Sequence, residues 1–153
     1  MSYWTRWGLG KADPRQFTNG PGAEQSRQQE EFVNSLQDDP NKPGYKASPI
    51  PVYQGSIGAV DRTKYSVQNV NVHDLKTRQP YINADKVRRF DRTKLPPGDQ
   101  AHPLVIKTRD NQLVVDNGNH RVAHMHAIGM KTTKARVIHE IHGYGDQGEG
   151  SLP

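Results

Sequence analysis

The sequence predicts an α/β domain at residues 67–140, preceded by an extended N-terminal arm at residues 1–50 and a linker at residues 51–66. From residue 67 onwards, segments with the alternation of a strand are interspersed with segments that have helical spacing, an order typical of α/β domains. Before residue 67, proline and glycine interrupt the chain repeatedly, which disfavours regular structure. The glycine-rich tail at residues 141–153 is expected to be flexible.

The composition limits the size of the core and the kind of partner. Hydrophobic residues make up 32% of the 153 residues and aromatic residues 7%, which is low for a chain that packs along its whole length. The net charge of +5 favours anionic partners such as nucleic acid or nucleotides. The absence of cysteine excludes disulfides, thiolate metal sites and a cysteine nucleophile. No apolar run has the length of a membrane span, and no signal peptide is evident, so we expect a cytoplasmic protein without a membrane partner.

The arm contains one helical segment and two tryptophans. The stretch "AEQSRQQEEFVNSLQ" predicts a short helix with Phe32, Val33 and Leu36 on one side. Trp4 and Trp7 stand among glycines, prolines and charges, and they either anchor a protein partner or pack back onto the domain. The composition of residues 1–50 predicts few contacts between the arm and the domain.

The elements of the domain follow from local patterns. The stretch "VQNVNV" alternates as a half-buried strand does, and "NADKVRRFDR" predicts a short helix with Asn83 as its cap and Val87 and Phe90 on one face. The stretches "PLVIKT" and "QLVVD" predict two strands joined by a turn at "RDN". Residues 119–128 suit a helix that ends at Gly129, and "KARVIHEI" predicts the closing strand.

The break "DNGN" between strand and helix admits two interpretations. Asn117-Gly118 is a strong hairpin signal, which would make "NHRVAHMH" a second strand. The histidines and alanines of that stretch, followed by Gly129, favour a strand, a loop and a helix instead. In that arrangement the unpaired N–H groups at the start of the helix attract an anion. Gly118 would then let the backbone approach a ligand closely.

Four residues around this break are candidate site residues. Asn119 is expected to cap the helix, and His120 and Arg121 lie in its first turn. Arg121 offers planar, bidentate donors to a phosphate. Asp116, at the end of the preceding strand, is expected beside the same pocket, where it would hold a metal ion, orient water or cap the loop.

The histidines also permit a metal site, which the pattern disfavours. His120 and His124 are four residues apart and share a helical face, but no carboxylate lies between them as in a zinc protease motif. His124 and His126 are therefore expected to be packing or surface residues. His139 and His142 are expected at the surface near the chain end. The sequence leaves the identity of any metal unknown.

The stretch "DNGNHRVAHMHAIG" resembles the signature loop of the ParB/sulfiredoxin superfamily, in particular of its ParB-like nuclease domains. That loop has the form D-G-[N/H/E]-[H/R]-R before an alanine-rich helix that ends in L-G. The resemblance extends backwards through "VNVHDLKTRQPYINADKVRRF" and forwards through "KTTKARVI", which covers approximately Val67 to His139. It implies a compact ParB/sulfiredoxin-like fold, a small mixed sheet with short helices, and a phosphate or nucleotide pocket at the loop.

The resemblance also implies roles for individual residues. In sulfiredoxins a catalytic cysteine precedes a His-Arg pair that contacts the ATP phosphates. Asn119 stands at the cysteine position here, which excludes sulfiredoxin activity, whereas His120 and Arg121 match the pair. Lys86 matches a lysine that approaches the nucleotide. The Gly-Glu-Arg-Arg loop with which chromosome-partitioning ParB proteins bind CTP is missing, and no helix-turn-helix domain follows, so centromere binding is not expected.

The resulting expectation is a ParB-like phosphate-handling protein. It would bind a nucleotide, ATP or CTP, or a nucleic-acid backbone, and its reaction would be phosphoester hydrolysis as a DNase or an NTPase. A general acid–base would be a histidine, because imidazole titrates near neutrality, and a carboxylate would hold Mg²⁺ or another divalent cation. The site residues expected on this basis are Gly118, Asn119, Arg121 and Lys86 for phosphate, and His120 and Asp116 for catalysis.

The alternative is a noncatalytic structural or interaction protein that retains the fold. The arm, its tryptophans and the glycine-rich tail suit a small protein of a phage particle or another assembly, in which case it would be virion-associated. Asp116 is the sole carboxylate of the signature, which is little for a metal-dependent nuclease.

Overall fold

The computed structural model describes residues 21–141, so Trp4, Trp7, His142 and the rest of the tail lie outside the described residues. Within this range the chain is a mixed α/β protein, as the sequence predicts. The α-helices are α1 (Pro21–Ser35), α2 (Ala84–Arg88) and α3 (Asn119–Ala127). The strands are β1 (Tyr45–Ala47), β2 (Ser66–Asn71), β3 (Leu75–Thr77), β4 (Tyr81–Asn83), β5 (Leu104–Lys107), β6 (Leu113–Asn117) and β7 (Thr132–His139). No helix described is both long and apolar enough to cross a membrane.

The main sheet has five strands in the order β2-β7-β5-β6-β3, and β1 pairs with β4 in a separate two-stranded sheet. In the main sheet, β2 with β7 and β5 with β6 are antiparallel. The pairs β5 with β7 and β3 with β6 are parallel. The sheet is therefore mixed, and its central strand β5 is the most apolar and the most buried, as expected for a strand covered on both faces.

Helix α3 covers one face of this sheet and connects two apolar clusters. The central cluster packs Val122 and Met125 of α3 onto the sheet, and it consists of Ile50, Val72, Leu75, Val105, Val115, Val122, Met125, Ala135 and Val137. Ala123, the next residue of α3, belongs to a second cluster with Val33, Ile82, Ala84 and Val87. Consecutive residues of α3 thus contact the sheet and the other two helices, which fixes the position of its first turn.

Three predictions of local structure around α2 and α3 are confirmed. The Asn83 side chain accepts the backbone N–H groups of Asp85 and Lys86 at 3.0 and 3.2 Å, so it caps α2 as predicted. Residues 119–127 form a helix, and the hairpin interpretation of Asn117-Gly118 is wrong. The helix ends before Gly129, whose φ is +75°, a conformation that favours glycine.

The predicted half-burial of β2 is wrong. Its residues are exposed except for Val70, which is partly buried against the central cluster. The physical reason is its place at the edge of the sheet, where β7 is its sole strand neighbour. Alternation in the sequence indicates a strand but does not indicate whether another layer covers it.

The part of the predicted arm that the structure describes is packed onto the domain. Val33 of α1 is fully buried in the second cluster, and Ile50 is buried in the central cluster. The buried Gln29 side chain donates hydrogen bonds to the carbonyls of Val87 and Arg88, the latter at 3.0 Å. The prediction of few contacts is therefore wrong for residues 21–50, because a few well-placed apolar residues and one amide suffice to attach them.

The predicted linker, residues 51–66, contains no helix or extended strand before β2 begins at Ser66, yet it is attached by backbone hydrogen bonds. The N–H of Tyr53 donates to the carbonyl of Thr77 at 2.7 Å, and the N–H of Thr77 donates to the carbonyl of Pro51 at 2.8 Å. The Glu140 side chain is 7% exposed and accepts the backbone N–H of Gly58 at 2.5 Å. This segment covers the face of the sheet opposite α3, where residues 57, 60 and 65 pack on β5 and β7.

Replacement of Val33 by Ala tests whether α1 belongs to the domain. The substitution removes two buried methyl groups, and we expect the free energy of unfolding to fall by about 2 kcal/mol. Urea denaturation followed by circular dichroism measures it. Ser26→Ala, at an exposed position of α1, is the control and should change stability little. Equal stability of the two variants would show that α1 does not contribute to the core.

Candidate functional site

The junction between β6 and α3 allows only glycine at residue 118. Gly118 has φ +108°, which side chains other than hydrogen rarely tolerate. A Cβ at this position would lie 3.1 Å from Cβ and 3.3 Å from Cα of Pro103. Because the turn is this tight, α3 begins directly at the end of β6. Gly118 itself is the N-cap and provides no side-chain cap, so the prediction that Asn119 caps the helix is wrong.

Asn119 and His120 join α3 to its neighbours. The Thr77 hydroxyl donates to Oδ1 of Asn119 at 2.5 Å, and the backbone N–H of Asn83 donates to Nε2 of His120 at 3.1 Å. Since Nε2 accepts this bond, the neutral imidazole carries its proton on Nδ1. Burial, and secondarily the charge of Lys86, lower the pKa of His120. His120 is therefore a neutral residue that orients the start of α2.

His120 and Lys86 line the same groove, which we call the α2 groove. Its volume is about 660 Å³, and it is lined by Asn83, Asp85, Lys86, Arg89, Phe90, Asp91, Lys94, Leu95 and His120. Both of its carboxylates are engaged. Asp85 pairs with Arg88 at 3.0 Å, and Asp91 accepts the N–H and the hydroxyl of Thr93 at 2.9 and 2.7 Å. Hydrogen bonds from the neutral Thr93 lower the pKa of Asp91 and keep it charged, so Lys86, Arg89 and Lys94 give the groove a small excess of positive charge.

Arg121 lines a different cavity, which we call the Arg121 pocket. Its volume is about 310 Å³, and it is lined by Phe90, Arg92, Leu95, Ala101, His102, Arg121, His124, Met125, Met130, Thr133 and Lys134. It shares Phe90 and Leu95 with the α2 groove. Consecutive residues His120 and Arg121 thus line two adjacent cavities, on the two sides of a wall formed by Phe90 and Leu95, rather than a single phosphate site.

Two guanidinium groups lie close together beside the Arg121 pocket. Nη1 of Arg121 donates to the carbonyl of Gln100 at 3.0 Å, and Nε of Arg136 donates to the carbonyl of His102 at 3.0 Å. Arg136 is only 6% exposed. Burial and the charge of Arg136 lower the pKa of Arg121. Neither arginine forms a salt bridge with a carboxylate of residues 21–141, so an external anion would relieve their repulsion.

Asp116 lies on the other face of the sheet. Along β6, Val115 faces α3 in the central cluster, and strand alternation directs Asp116 to the opposite side. There its carboxylate accepts two hydrogen bonds from Arg62 at 2.7 and 3.0 Å. It lines a cavity of about 160 Å³ that neither His120 nor Arg121 lines. The prediction that Asp116 lies in the same pocket as His120 and Arg121 is therefore wrong.

The remaining histidines of α3 are packing residues, as predicted. His124 is 5% exposed and lies 4.7 Å from the ring of Phe90, and burial lowers its pKa to about 4. His126 contacts His73 edge to face at 4.9 Å. His139 is exposed, as expected of a surface residue. Among residues 21–141, no group of three or more His, Asp or Glu side chains is arranged to hold a metal ion, and both oxygens of Asp116 accept hydrogen bonds from Arg62. Binding of Mg²⁺ stays a prediction.

Comparison with protein-family models, curated proteins and solved structures finds no match to this chain. The function therefore has to be inferred from the side chains themselves. Several cations that line the two cavities were not predicted from the sequence, namely Arg89, Arg92, Lys94 and Lys134. Arg136, which lies beside Arg121, was not predicted either. The signal that was available is the basic run around one aromatic residue in "KVRRFDRTK", a composition typical of nucleic-acid surfaces.

The buried imidazole of His124 predicts a loss of stability in acid. The unfolded chain protonates this group below about pH 6.5, whereas the folded chain resists protonation until about pH 4. Because the unfolded state binds the extra proton, stability falls as the pH falls through this window, by about 3 kcal/mol at most. Urea denaturation at several pH values measures the effect.

The variant His124→Leu should show a shallower decrease in stability between these pH values than the wild-type protein. His139→Leu, which removes an exposed histidine, is the matched control and should follow the wild-type curve. Parallel curves for wild type and His124→Leu would show that His124 is not buried in its neutral form.

Proposed function

We propose that this protein binds the phosphate backbone of nucleic acid along the α2 groove and the Arg121 pocket. A single observation carries the proposal: the cations of these two cavities have no carboxylate partner within 4.0 Å among residues 21–141. These cations are Lys86, Arg89, Arg92, Lys94, Arg121, Lys134 and the adjacent Arg136. Among the cations outside the two cavities, Arg27, Lys46, Arg62 and Arg88 pair with carboxylates. Six others also have no carboxylate of residues 21–141 within 4.0 Å, namely Lys42, Lys64, Lys76, Arg78, Lys107 and Lys131. The feature that distinguishes the proposed surface is therefore the clustering of such cations around the two cavities.

The arrangement of the charges favours a polyanion over a single phosphate group. The two cavities lie next to each other across Phe90 and Leu95, so the cations follow an extended surface. A nucleic-acid backbone would neutralise several of them at once and release its counterions, which is the main source of affinity in such complexes. The first turn of α3 borders both cavities through His120 and Arg121, and the start of a helix favours negative charge.

We also propose that the fold is ParB/sulfiredoxin-like. This assignment is supported by the strand, glycine and helix at residues 113–127 and by the shared groove of Lys86 and His120. Binding of a single nucleotide, ATP or CTP, in the α2 groove is the narrower form of the same function. Arg121 lies in the adjacent pocket, so its contact with that nucleotide would require a ligand that extends past Phe90.

The geometry supports binding better than it supports phosphoester hydrolysis. Nε2 of His120 is occupied by the N–H of Asn83, so only Nδ1 remains for proton transfer. Asp116 is paired with Arg62 on the opposite face of the sheet. The candidate acid–base group, His120, and the carboxylate of Asp116 are therefore not placed together, as catalysis by the pair would require. We therefore propose a noncatalytic nucleic-acid-binding protein. Such a role suits a component of a phage particle or another assembly.

Replacement of Arg121 by Ala should weaken DNA binding without unfolding the protein. Loss of one charge-assisted phosphate contact should lower the affinity about tenfold. The slope of log K against log salt concentration should decrease by about 0.7 to 0.9. The melting temperature should change by no more than about 2 °C, because the lost hydrogen bond is offset by relief of repulsion with Arg136. Fluorescence anisotropy with labelled DNA and thermal denaturation measure these quantities.

The control is Arg27→Ala, which removes the same charge from α1, where Arg27 pairs with Glu31 at 3.5 Å. It should leave affinity and salt slope nearly unchanged. Equal effects of the two substitutions would indicate a dependence on net charge alone and contradict the proposed surface. ATP and CTP titrations of the wild-type protein test the narrower, nucleotide-binding form.

A further inference from the structure

The Arg121 pocket differs from the α2 groove in its interior. Its volume of about 310 Å³ is near the lower end of cavities that enclose small molecules. Phe90, Met125 and Met130 provide apolar walls, while Arg92 and Arg121 lie among the cationic residues that line it. A phosphate alone would use the arginines and leave the apolar walls without a contact.

The buried residue His124 provides a second, independent observation. Its side chain lines the pocket, is 5% exposed, and neither ring nitrogen has a hydrogen-bond partner among the described residues. A neutral imidazole has one donor and one acceptor, and leaving both unpaired in the interior is unfavourable. The ring of Phe90 covers it at 4.7 Å with a tilt of 39°, and Phe90 itself is only partly buried.

A ligand that satisfies all of these groups is flat, has apolar faces and a polar edge, and carries negative charge nearby. An unpaired nucleobase with its flanking phosphates has these properties. In a double helix the faces of the bases are stacked and their Watson–Crick edges are paired, so a duplex offers the pocket phosphates and groove edges but no free base face.

We infer that the Arg121 pocket binds one unpaired base of a single-stranded nucleic acid. The base stacks on Phe90, its edge reaches the imidazole of His124 after a small displacement of the Phe90 ring, and the flanking phosphates contact Arg92 and Arg121. The adaptable side chains of Met125 and Met130 accommodate bases of different size, so the pocket selects strandedness rather than sequence. This inference rests on the proposed function, because the backbone must first be held by the basic surface.

The test compares three labelled DNA probes at low salt by fluorescence anisotropy: a short single strand, the same strand as a duplex, and a strand of the same length built from abasic nucleotides. Base stacking on an aromatic side chain predicts that the intact single strand binds about tenfold more tightly than the abasic strand. It should also bind more tightly than the duplex. The same comparison with intact and abasic RNA shows whether the preference is shared by both kinds of strand, and a preference in either supports the inference.

Substitutions at two phenylalanines, Phe90 and Phe32, test where the base binds. Phe90→Ala should weaken binding of the intact strand about tenfold and leave binding of the abasic strand unchanged. Phe32→Ala removes a partly buried phenylalanine of α1 that lines neither cavity, and it should change neither affinity. Circular dichroism shows whether Phe90→Ala is folded. If it is not, Phe90→Leu replaces it in the same binding test, because leucine keeps an apolar side chain over His124.

Equal affinity for the intact, abasic and duplex probes would overturn the inference and leave backbone binding in place. A preference for the intact strand that survives substitution of Phe90 would place the base elsewhere and overturn it as well. Absence of binding to every probe at low salt would contradict both this inference and the proposed function.

Discussion

The positions of His120, Arg121 and the rest of α3 depend on the tight junction at Gly118, beside Pro103. Gly118 has φ +108°, and a Cβ at this residue would lie 3.1 Å from Cβ and 3.3 Å from Cα of Pro103, so the junction favours glycine. Helix α3 therefore starts without a connecting loop at the end of β6, a buried strand next to the centre of the sheet. Val122 and Ala123 then fit two separate apolar clusters. A longer connection would let α3 rotate about its axis and would change which side chains border each cavity.

This orientation of α3 separates polar side chains that lie close together in the sequence. His120 and Arg121 reach opposite sides of the wall formed by Phe90 and Leu95, and the alternation of β6 sends Asp116 through to the far face. The carboxylate closest in sequence is thereby neutralised by Arg62, while the cations around Phe90 remain without carboxylate partners among residues 21–141. A surface with this imbalance attracts phosphate groups, and the partly buried Phe90 at its centre is the proposed contact for a base.

The sequence predicts the three α-helices and the strands β2, β5, β6 and β7 because their signals are local, but it does not predict the three-residue strands β1, β3 and β4. The Asn83 cap, the turn at residues 108–112 and the stop at Gly129 each depend on the conformational preference of one or two residues. Packing could not be predicted in this way. The attachment of α1 depends on Gln29 reaching the carbonyls of Val87 and Arg88, 58 and 59 residues away. Likewise, the neighbours of Arg121 include Arg136 and the loop at residues 98–101, which no spacing rule brings to the helix.

Nucleic-acid binding at the cavities beside α3 is tested most directly by mapping the binding surface with NMR. Backbone amide shifts of the labelled protein would be followed during titration with a short single-stranded DNA at low salt. Binding at the proposed surface should change the shifts of residues 86–95, 100–102, 118–125 and 133–136, and added salt should reverse these changes. The shifts around Asp116, Arg62 and Glu140, on the opposite face, should change little. Changes centred on that opposite face, or none at any position, would contradict the assignment of nucleic-acid binding to the cavities beside α3.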